Sequence, residues 1–221
     1  MHYKGLLFDF DGTLLDTNEL IMETFYHVLS PKFPRKYKKE DMAQFIGPSL
    51  KETFTAIDPQ NAETLIKEYI TWNRTHHDEL VSEFDGVVEV LKQLKRAGLK
   101  LAIVSTKRRE AILTGLHVLG VEELFDVIIS NDEVEHTKPH PEPVLLALQE
   151  LGLQKHEVIM IGDNYHDIEG GQNAGVHTAG VAWSLKGAAF LEALHPTYML
   201  YHMRDLYQIT GVEAYAQNDT L

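Results

Sequence analysis

The sequence predicts an α/β fold: a doubly wound, Rossmann-like parallel sheet with an all-helical cap inserted after its first strand. Three observations carry this reading. From about Glu83 onward, amphipathic helix, glycine and short apolar strand follow one another in turn. Residues 17–82 break that rhythm with helical patterns and no convincing strand. The polar residues that end the successive strands are chemically complementary, as residues gathered at one rim of a parallel sheet would be.

The chain opens on a candidate strand, Tyr3–Phe10, which carries an Asp. No long apolar run followed by small residues precedes it, so it does not read as a secretion signal. Helical patterns follow over Glu19–Leu29, Leu50–Ile57 and Ala62–Thr75, with Pro31, Pro34, Gly47, Pro48 and Pro59 marking the turns between them. The α/β pattern then resumes. Leu91, Leu94 and Ala97 precede Gly98 and strand Leu101–Val104; Ile112, Leu116 and Leu119 precede Gly120 and Val127–Ile129. Val144, Leu148 and Leu151 precede Gly152 and Val158–Ile161, and a looser copy ends at Gly175 before Thr178–Trp183. Apolar spacing of three and four gives each helix one core-facing stripe, and each glycine stands where a helix end needs a left-handed residue. The glycines are unevenly spaced, so this is βα alternation and not a sequence repeat. The expected organisation is an α/β domain of residues 1–16 and 83–221 and a helical cap of residues 17–82. The polar stretch from about Gly211 is expected to fray.

A chain of 221 residues is long enough for one core and a small inserted module. It has no cysteine, which excludes disulfides and thiolate metal sites and fits a reducing cytoplasm. No apolar stretch approaches the ~20 residues that span a bilayer. A net charge of -13 argues against nucleic acid or an anionic membrane as the main partner. The charge is uneven: residues 17–82 hold 8 Lys+Arg against 10 Asp+Glu, a balance of -2, and the remainder 12 against 23, a balance of -11. An acidic core with a nearly neutral insert suits a protein that concentrates divalent cations and lets them bring in a small anionic substrate.

The strand ends supply the chemistry. Strand one ends in Asp9-Phe10-Asp11-Gly12-Thr13, and Leu101–Val104 in Ser105-Thr106-Lys107. Thr137-Lys138-Pro139 precedes a helix, and Val158–Ile161 ends in Gly162-Asp163-Asn164-Tyr165-His166-Asp167. Carboxylates, a hydroxyl and a lysine at one rim suit phosphoryl transfer. Hard oxygen ligands from Asp9 and Asp163 fit Mg²⁺. Lys138 neutralises phosphoryl oxygens, Ser105 and Thr106 are candidate substrate contacts, and a carboxylate is able to act as the nucleophile.

The string Asp9-Phe10-Asp11-Gly12-Thr13-Leu14 resembles the first motif of the haloacid dehalogenase (HAD) superfamily, DxDGTL. Ser105 matches the second motif, Lys138 the third, and Asp163 with Asp167 the fourth. The resemblance implies a Mg²⁺-dependent phosphohydrolase in which Asp9 attacks phosphorus. It implies that Asp11 protonates the leaving group, then activates the water that hydrolyses the aspartyl-phosphate, and lends its backbone carbonyl to the metal beside Asp9 and Asp163. Asp167 is the fourth residue expected at the metal, holding metal-bound water or Lys138. Within the superfamily, Asp16-Thr17-Asn18-Glu19-Leu20, Phe45-Ile46-Gly47-Pro48, His76-His77-Asp78-Glu79-Leu80-Val81 and Gly162-Asp163-Asn164-Tyr165-His166-Asp167 are most similar to the inorganic pyrophosphatase branch, with phosphoglycolate phosphatases as neighbours.

Some features read more plainly. Ser49-Leu50-Lys51-Glu52 has the form of a helix capping box, although the Gly47–Ser49 loop is also placed to dip into the site. For a pyrophosphate substrate the cap must meet a second charged phosphate, and Asn18, Ser49, Lys51, Asn73 and Arg74 are the candidates. Lys32, Arg35, Lys36, Lys38 and Lys39 read as solvated surface, as does His76-His77. Pro139 between His136 and His140 disfavours the regular helix of a two-histidine zinc site, so none is expected there. Among other classes, a dehalogenase has no use for Asp11 and Asp163, and a receiver domain is about half this length. A phosphosugar mutase would keep all four motifs, and a binding-only regulator would not need Asp9 and Asp11 intact.

Overall fold

A computed structural model describes residues 3–213. The stretch expected to fray lies, from residue 214 onward, outside the described residues. Strand β1 (Gly5–Phe8) is short and fully buried, and a two-residue strand β2 (Leu15–Asp16) follows it. Helices α1 (Asn18–Leu29), α2 (Leu50–Ile57) and α3 (Ala62–Leu80) come next, before β3 (Ser82–Glu83). Alternation then begins with α4 (Val87–Arg96), β4 (Lys100–Val104), α5 (Arg109–Leu119) and β5 (Val127–Ile129). It continues with α6 (Glu142–Leu151), β6 (Val158–Gly162), α7 (Tyr165–Ala174) and β7 (His177–Val181). The described chain closes with α8 (Ala188–Glu192), β8 (Tyr198–Leu200) and α9 (Asp205–Thr210).

Six strands form one parallel sheet in the order β5-β4-β1-β6-β7-β8. The chain builds outward from β1 on one side, then returns to lay β6 against the other side of β1. The strand order therefore reverses at β1, and in an open α/β sheet the crevice at such a reversal is where ligands bind. Alternation of side chains sends Leu6, Phe8, Leu101, Ile103, Ile159 and Ile161 into one core, and Leu7, Ala102, Val104 and Met160 into the other. Both faces are covered by helices, which is why these strands are apolar at nearly every position.

The insert has a core of its own. Phe25 packs its ring 5.2, 5.4 and 4.7 Å from those of Phe45, Phe54 and Tyr69. Where the chain leaves for the insert and returns, β2 and β3 pair antiparallel, Leu15 with Glu83 and Asp16 with Ser82. No helix among the described residues is long and apolar enough to cross a membrane.

Three expectations shift. The first strand ends at Phe8, before Asp9, because Phe10 accepts the turn bonds of Leu14 and Leu15 and Gly12 takes φ +74°. Helix α3 runs to Leu80 and not to Thr75, since nothing in Arg74–Leu80 breaks a helix. Strand β8, with α8 and α9, follows a segment with no helix–glycine–strand pattern. Only three residues long, β8 gives no periodicity to read.

Candidate active site

The site forms where the carboxyl ends of β1, β4 and β6 meet under the insert. Asp9 continues β1 by one residue, its N–H still donating to the Ile161 carbonyl at 2.9 Å. Asp163 follows β6, and its backbone carbonyl accepts from Ser184 Oγ at 2.7 Å. Asp167 lies on the first turn of α7, where its Oδ2 accepts the Asn164 N–H at 2.9 Å and completes a capping box. Lys138 reaches in from the loop before α6. Its Nζ donates to Asp9 Oδ1 at 2.9 Å, Asp167 Oδ1 at 2.6 Å and the Val104 carbonyl at 2.6 Å, which uses all three ammonium protons.

The electrostatics follow from burial. Asp9, Asp163, Asp167 and Lys138 are all buried. Burial pushes the Asp9 carboxyl up to about 6, with Lys138 opposing and Asp167 and Asp11 adding. Burial, then Asp167 and Asp9, raise the Asp163 pKa well above its ordinary value. For Lys138 burial works downward, but Asp167 and Asp9 outweigh it and its pKa rises. With all three ionised, the carboxylates exceed the single buried ammonium by two negative charges, which is why burial favours the protonated forms of Asp9 and Asp163. Oxygens of Asp9, Asp163 and Asp167 lie within 4.8 Å of one another. A divalent cation balances that excess, and oxygen-only donors suit a hard ion. Gly12 fits the same conclusion: at φ +74° a side chain is strained, and a Cβ there would collide with the Asp163 carboxylate. The residues present therefore fit a metal.

Asp11 stands apart from that cluster. Thr17 Oγ1 and Lys107 Nζ both donate to its Oδ1, at 2.8 and 2.7 Å. Asp9 and Asp11 are two residues apart but follow the strand rather than lie within it. Beyond Phe8 they take different neighbours, although both line one cavity of about 210 Å³ between the sheet and the insert. Ser105, Thr106, Gly47, Lys51, Arg74 and Asp163 line it too. Ser105 Oγ accepts from Lys107 N at 3.3 Å, and Thr106 Oγ1 donates to the Gly47 carbonyl at 2.9 Å. The Gly47 loop does reach the core, since Asn164 Nδ2 also donates to the Ile46 carbonyl at 3.1 Å. A Cβ on Gly47 would stand 2.6 Å from that amide nitrogen.

Other candidates are placed elsewhere. Ser49 is not on the cavity wall: its hydroxyl bonds Glu52 and caps α2. Asn18 bonds Asp16 Oδ1 at 2.8 Å. Arg74 pairs with Glu110 across the cavity mouth, and Asn73 Nδ2 donates to Thr24 Oγ1 at 3.1 Å. Much of the insert's wall is apolar, with Ile21, Phe25, Leu50, Ile66 and Ile70. Sequence reasoning missed Thr17 and Lys107 as partners of Asp11, and it placed His77 on the surface. His77 is 3% exposed on the cavity wall, its Nδ1 3.0 Å from Asp78 Oδ1 and its Nε2 buried without a partner among the described residues. His76 behaves differently, stacking on Trp72 at 3.9 Å.

Comparison with known proteins agrees with this geometry. Residues 6–181 match the family of haloacid dehalogenase-like hydrolases. The chain is 51% identical over 209 residues to Pyrophosphatase PpaX of Bacillus cereus (strain AH820), covering 95% of this chain and 97% of that protein. The same identity and coverage hold for Pyrophosphatase PpaX of Bacillus thuringiensis (strain Al Hakam). A solved structure from Bacteroides fragilis, described as a haloacid dehalogenase-like hydrolase, is similar with a TM-score of 0.86 at 30% identity, covering 92% of this chain and 99% of that one. A haloacid dehalogenase-like family protein of Streptococcus pneumoniae shares the fold at a TM-score of 0.82 and 21% identity, over 94% of this chain and 98% of that one. With the DxDGTL string, the buried carboxylates and the lysine arranged as described, the chain belongs to the haloacid dehalogenase-like hydrolase family.

Proposed function

We propose that this enzyme is a Mg²⁺-dependent phosphohydrolase whose first substrate is inorganic pyrophosphate, acting through an aspartyl-phosphate on Asp9. The observation that carries the reading is the cluster of three buried carboxylates around one lysine, open to a cavity of about 210 Å³. Its resemblance to the pyrophosphatases at 51% identity supports the choice of substrate.

The residues divide the work as follows. Asp9 Oδ2 is not engaged by Lys138 and attacks phosphorus, while Lys138 holds Oδ1 in place. Asp9, the Asp11 carbonyl and Asp163 would hold Mg²⁺, which would supply positive charge to the phosphoryl oxygens. Asp167 acts through Lys138, fixing its ammonium, rather than as a direct ligand; both of its oxygens already accept hydrogen bonds. Asp11, with Thr17 and Lys107 fastened to Oδ1, offers Oδ2 to the leaving group and then to water. Ser105 and Thr106 flank the transferred phosphoryl group. Residues 17–82 act as a cap that excludes water, and Lys51, Arg74 and His77 meet the leaving phosphate. We place the enzyme in the cytoplasm on its cysteine-free composition.

The test is kcat/KM with Mg²⁺ across pyrophosphate, 2-phosphoglycolate and several sugar phosphates. Pyrophosphate should lead. A clear preference for phosphoglycolate would transfer the assignment to that neighbouring activity, and interconversion of a sugar phosphate without phosphate release would make the chain a mutase.

A further inference from the structure

The loop that delivers Lys138 carries a second set of ligating side chains, which the proposed reaction does not use. His136 and His140 stand two residues either side of the lysine, and Glu142 opens α6. No regular helix spans them, the ground on which no zinc site is expected from the sequence, yet the histidines are not kept apart. A turn closed by His140 N donating to the Thr137 carbonyl at 3.0 Å brings them together instead. Their ring centroids lie 4.5 Å apart.

The three donor atoms converge. His136 Nδ1 is 3.1 Å and His140 Nδ1 3.7 Å from Glu142 Oε2, and one ligand atom of each residue lies within 4.8 Å of the other two. For four-coordinate zinc with bonds near 2.0–2.1 Å, ligand atoms stand about 3.3–3.4 Å apart, so small side-chain adjustments suffice. The carboxylate is already oriented. Glu142 Oε1 accepts the Glu135 N–H at 2.8 Å and Oε2 the His136 N–H at 3.1 Å. His140 Nδ1 accepts from Glu142 N at a long 3.3 Å, a bond an ion would replace. With side chains 61%, 49% and 30% exposed for His136, His140 and Glu142, an ion reaches the group without any opening of the fold.

We infer that His136, His140 and Glu142 form a binding site for a zinc-class divalent ion, separate from the buried carboxylates. Donor chemistry distinguishes the two: the buried cluster offers only oxygens and suits Mg²⁺, whereas two imidazoles and one carboxylate suit Zn²⁺, Co²⁺ or Ni²⁺. Three protein ligands leave a position for water. The ion would close the loop on both sides of Lys138, adding to the two backbone ties that Glu142 makes now.

The experiment uses the untagged full-length protein, because a histidine tag would bind the same ions. Zn²⁺ is titrated calorimetrically in a large excess of Mg²⁺, which occupies the oxygen site. One equivalent should bind. His136→Ala and His140→Ala should each weaken it by at least about tenfold, and the double variant should abolish it. Co²⁺ should give a visible absorption band in the wild type that the double variant lacks. Turnover with Mg²⁺ alone should be unchanged in these variants, which also shows that they fold. His136→Gln with His140→Gln provides a second, bulkier pair should the alanines disturb the loop. Failure of the wild type to bind one Zn²⁺ in excess Mg²⁺ would overturn the site, as would full binding in either double variant.

Discussion

Asp9→Asn separates the chemistry from the electrostatics of the cluster. In the metal-free protein Asp9 is an acid whose burial lifts it from 3.8 to about 6. Between those values the folded protein binds more protons than the unfolded chain. Stability that is fully present below pH 3.8 is therefore lost as pH rises through 6, and by pH 7.5 the ionised Asp9 costs the metal-free fold roughly 3 kcal/mol. Asn has the shape of the neutral acid and escapes that cost at every pH, while Lys138 keeps Asp167 and the Val104 carbonyl. In a chelating buffer at pH 7.5 the variant should therefore be the more stable, with a midpoint higher by about 6–12 °C for a chain of this size. Mg²⁺ should narrow the gap, because it stabilises the wild type by mass action and binds the variant less well. Turnover should fall by about 10³-fold or more, since the nucleophile is gone. The assays are thermal melts from pH 4 to 8 with and without Mg²⁺, and phosphate release. Wild-type turnover in the variant would refute the covalent mechanism. A metal-free variant melting at or below the wild type at pH 7.5 would refute the charge argument.

Further outcomes follow from the same geometry. Asp11→Asn should lose about 10²–10⁴-fold in kcat. Its Mg²⁺ affinity, measured by calorimetry, should stay near that of the wild type, because the contact assigned to Asp11 is its carbonyl. Lys51→Ala and Arg74→Ala should reduce kcat/KM for pyrophosphate more than for a small aryl phosphate, which lacks the second phosphate and suits the apolar wall. Lys138→Ala should damage both substrates alike and, by leaving buried carboxylates unpaired, should cost about 3–5 kcal/mol in denaturant titrations without metal. Gly12→Ala should lose at least about 100-fold in kcat/KM, a displaced Asp163 carboxylate being a misplaced metal ligand. Its strained backbone should cost a further ~1 kcal/mol or more of stability.

Much of this was legible because the decisive residues follow strands directly. Asp9, Ser105 and Asp163 each come one residue after a buried strand, and a parallel sheet must bring such ends to one rim. Lys138 was legible from its neighbours in a short motif, although nothing local says that its three bonds end on Asp9, Asp167 and the carbonyl of Val104. The residues that escaped depend on how distant segments fold back. Thr17 reaches Asp11 because the β2–β3 ladder turns the chain beside the site, and that ladder has only two residues per strand. Ser184, which fixes the Asp163 carbonyl, follows β7 and carries no motif of its own.

His77 is a different case, since a signal was present. Leu65, Tyr69, Asn73 and His77 are spaced by four, so they form one slanting row on α3. Leu65 and Tyr69 pack into the insert's core, and from Tyr69 onward the row lines the cavity, polar at Asn73 and His77. A buried imidazole nitrogen with no partner costs about 1–3 kcal/mol, which a surface histidine would not bear. An apolar row that turns polar along one helix therefore marks the point where core packing gives way to the wall of a cavity. On α3 that change begins at Tyr69, which belongs to both the core and the cavity wall, and the part of the helix beyond Thr75, which periodicity alone did not predict, is the part that brings His77 to that wall.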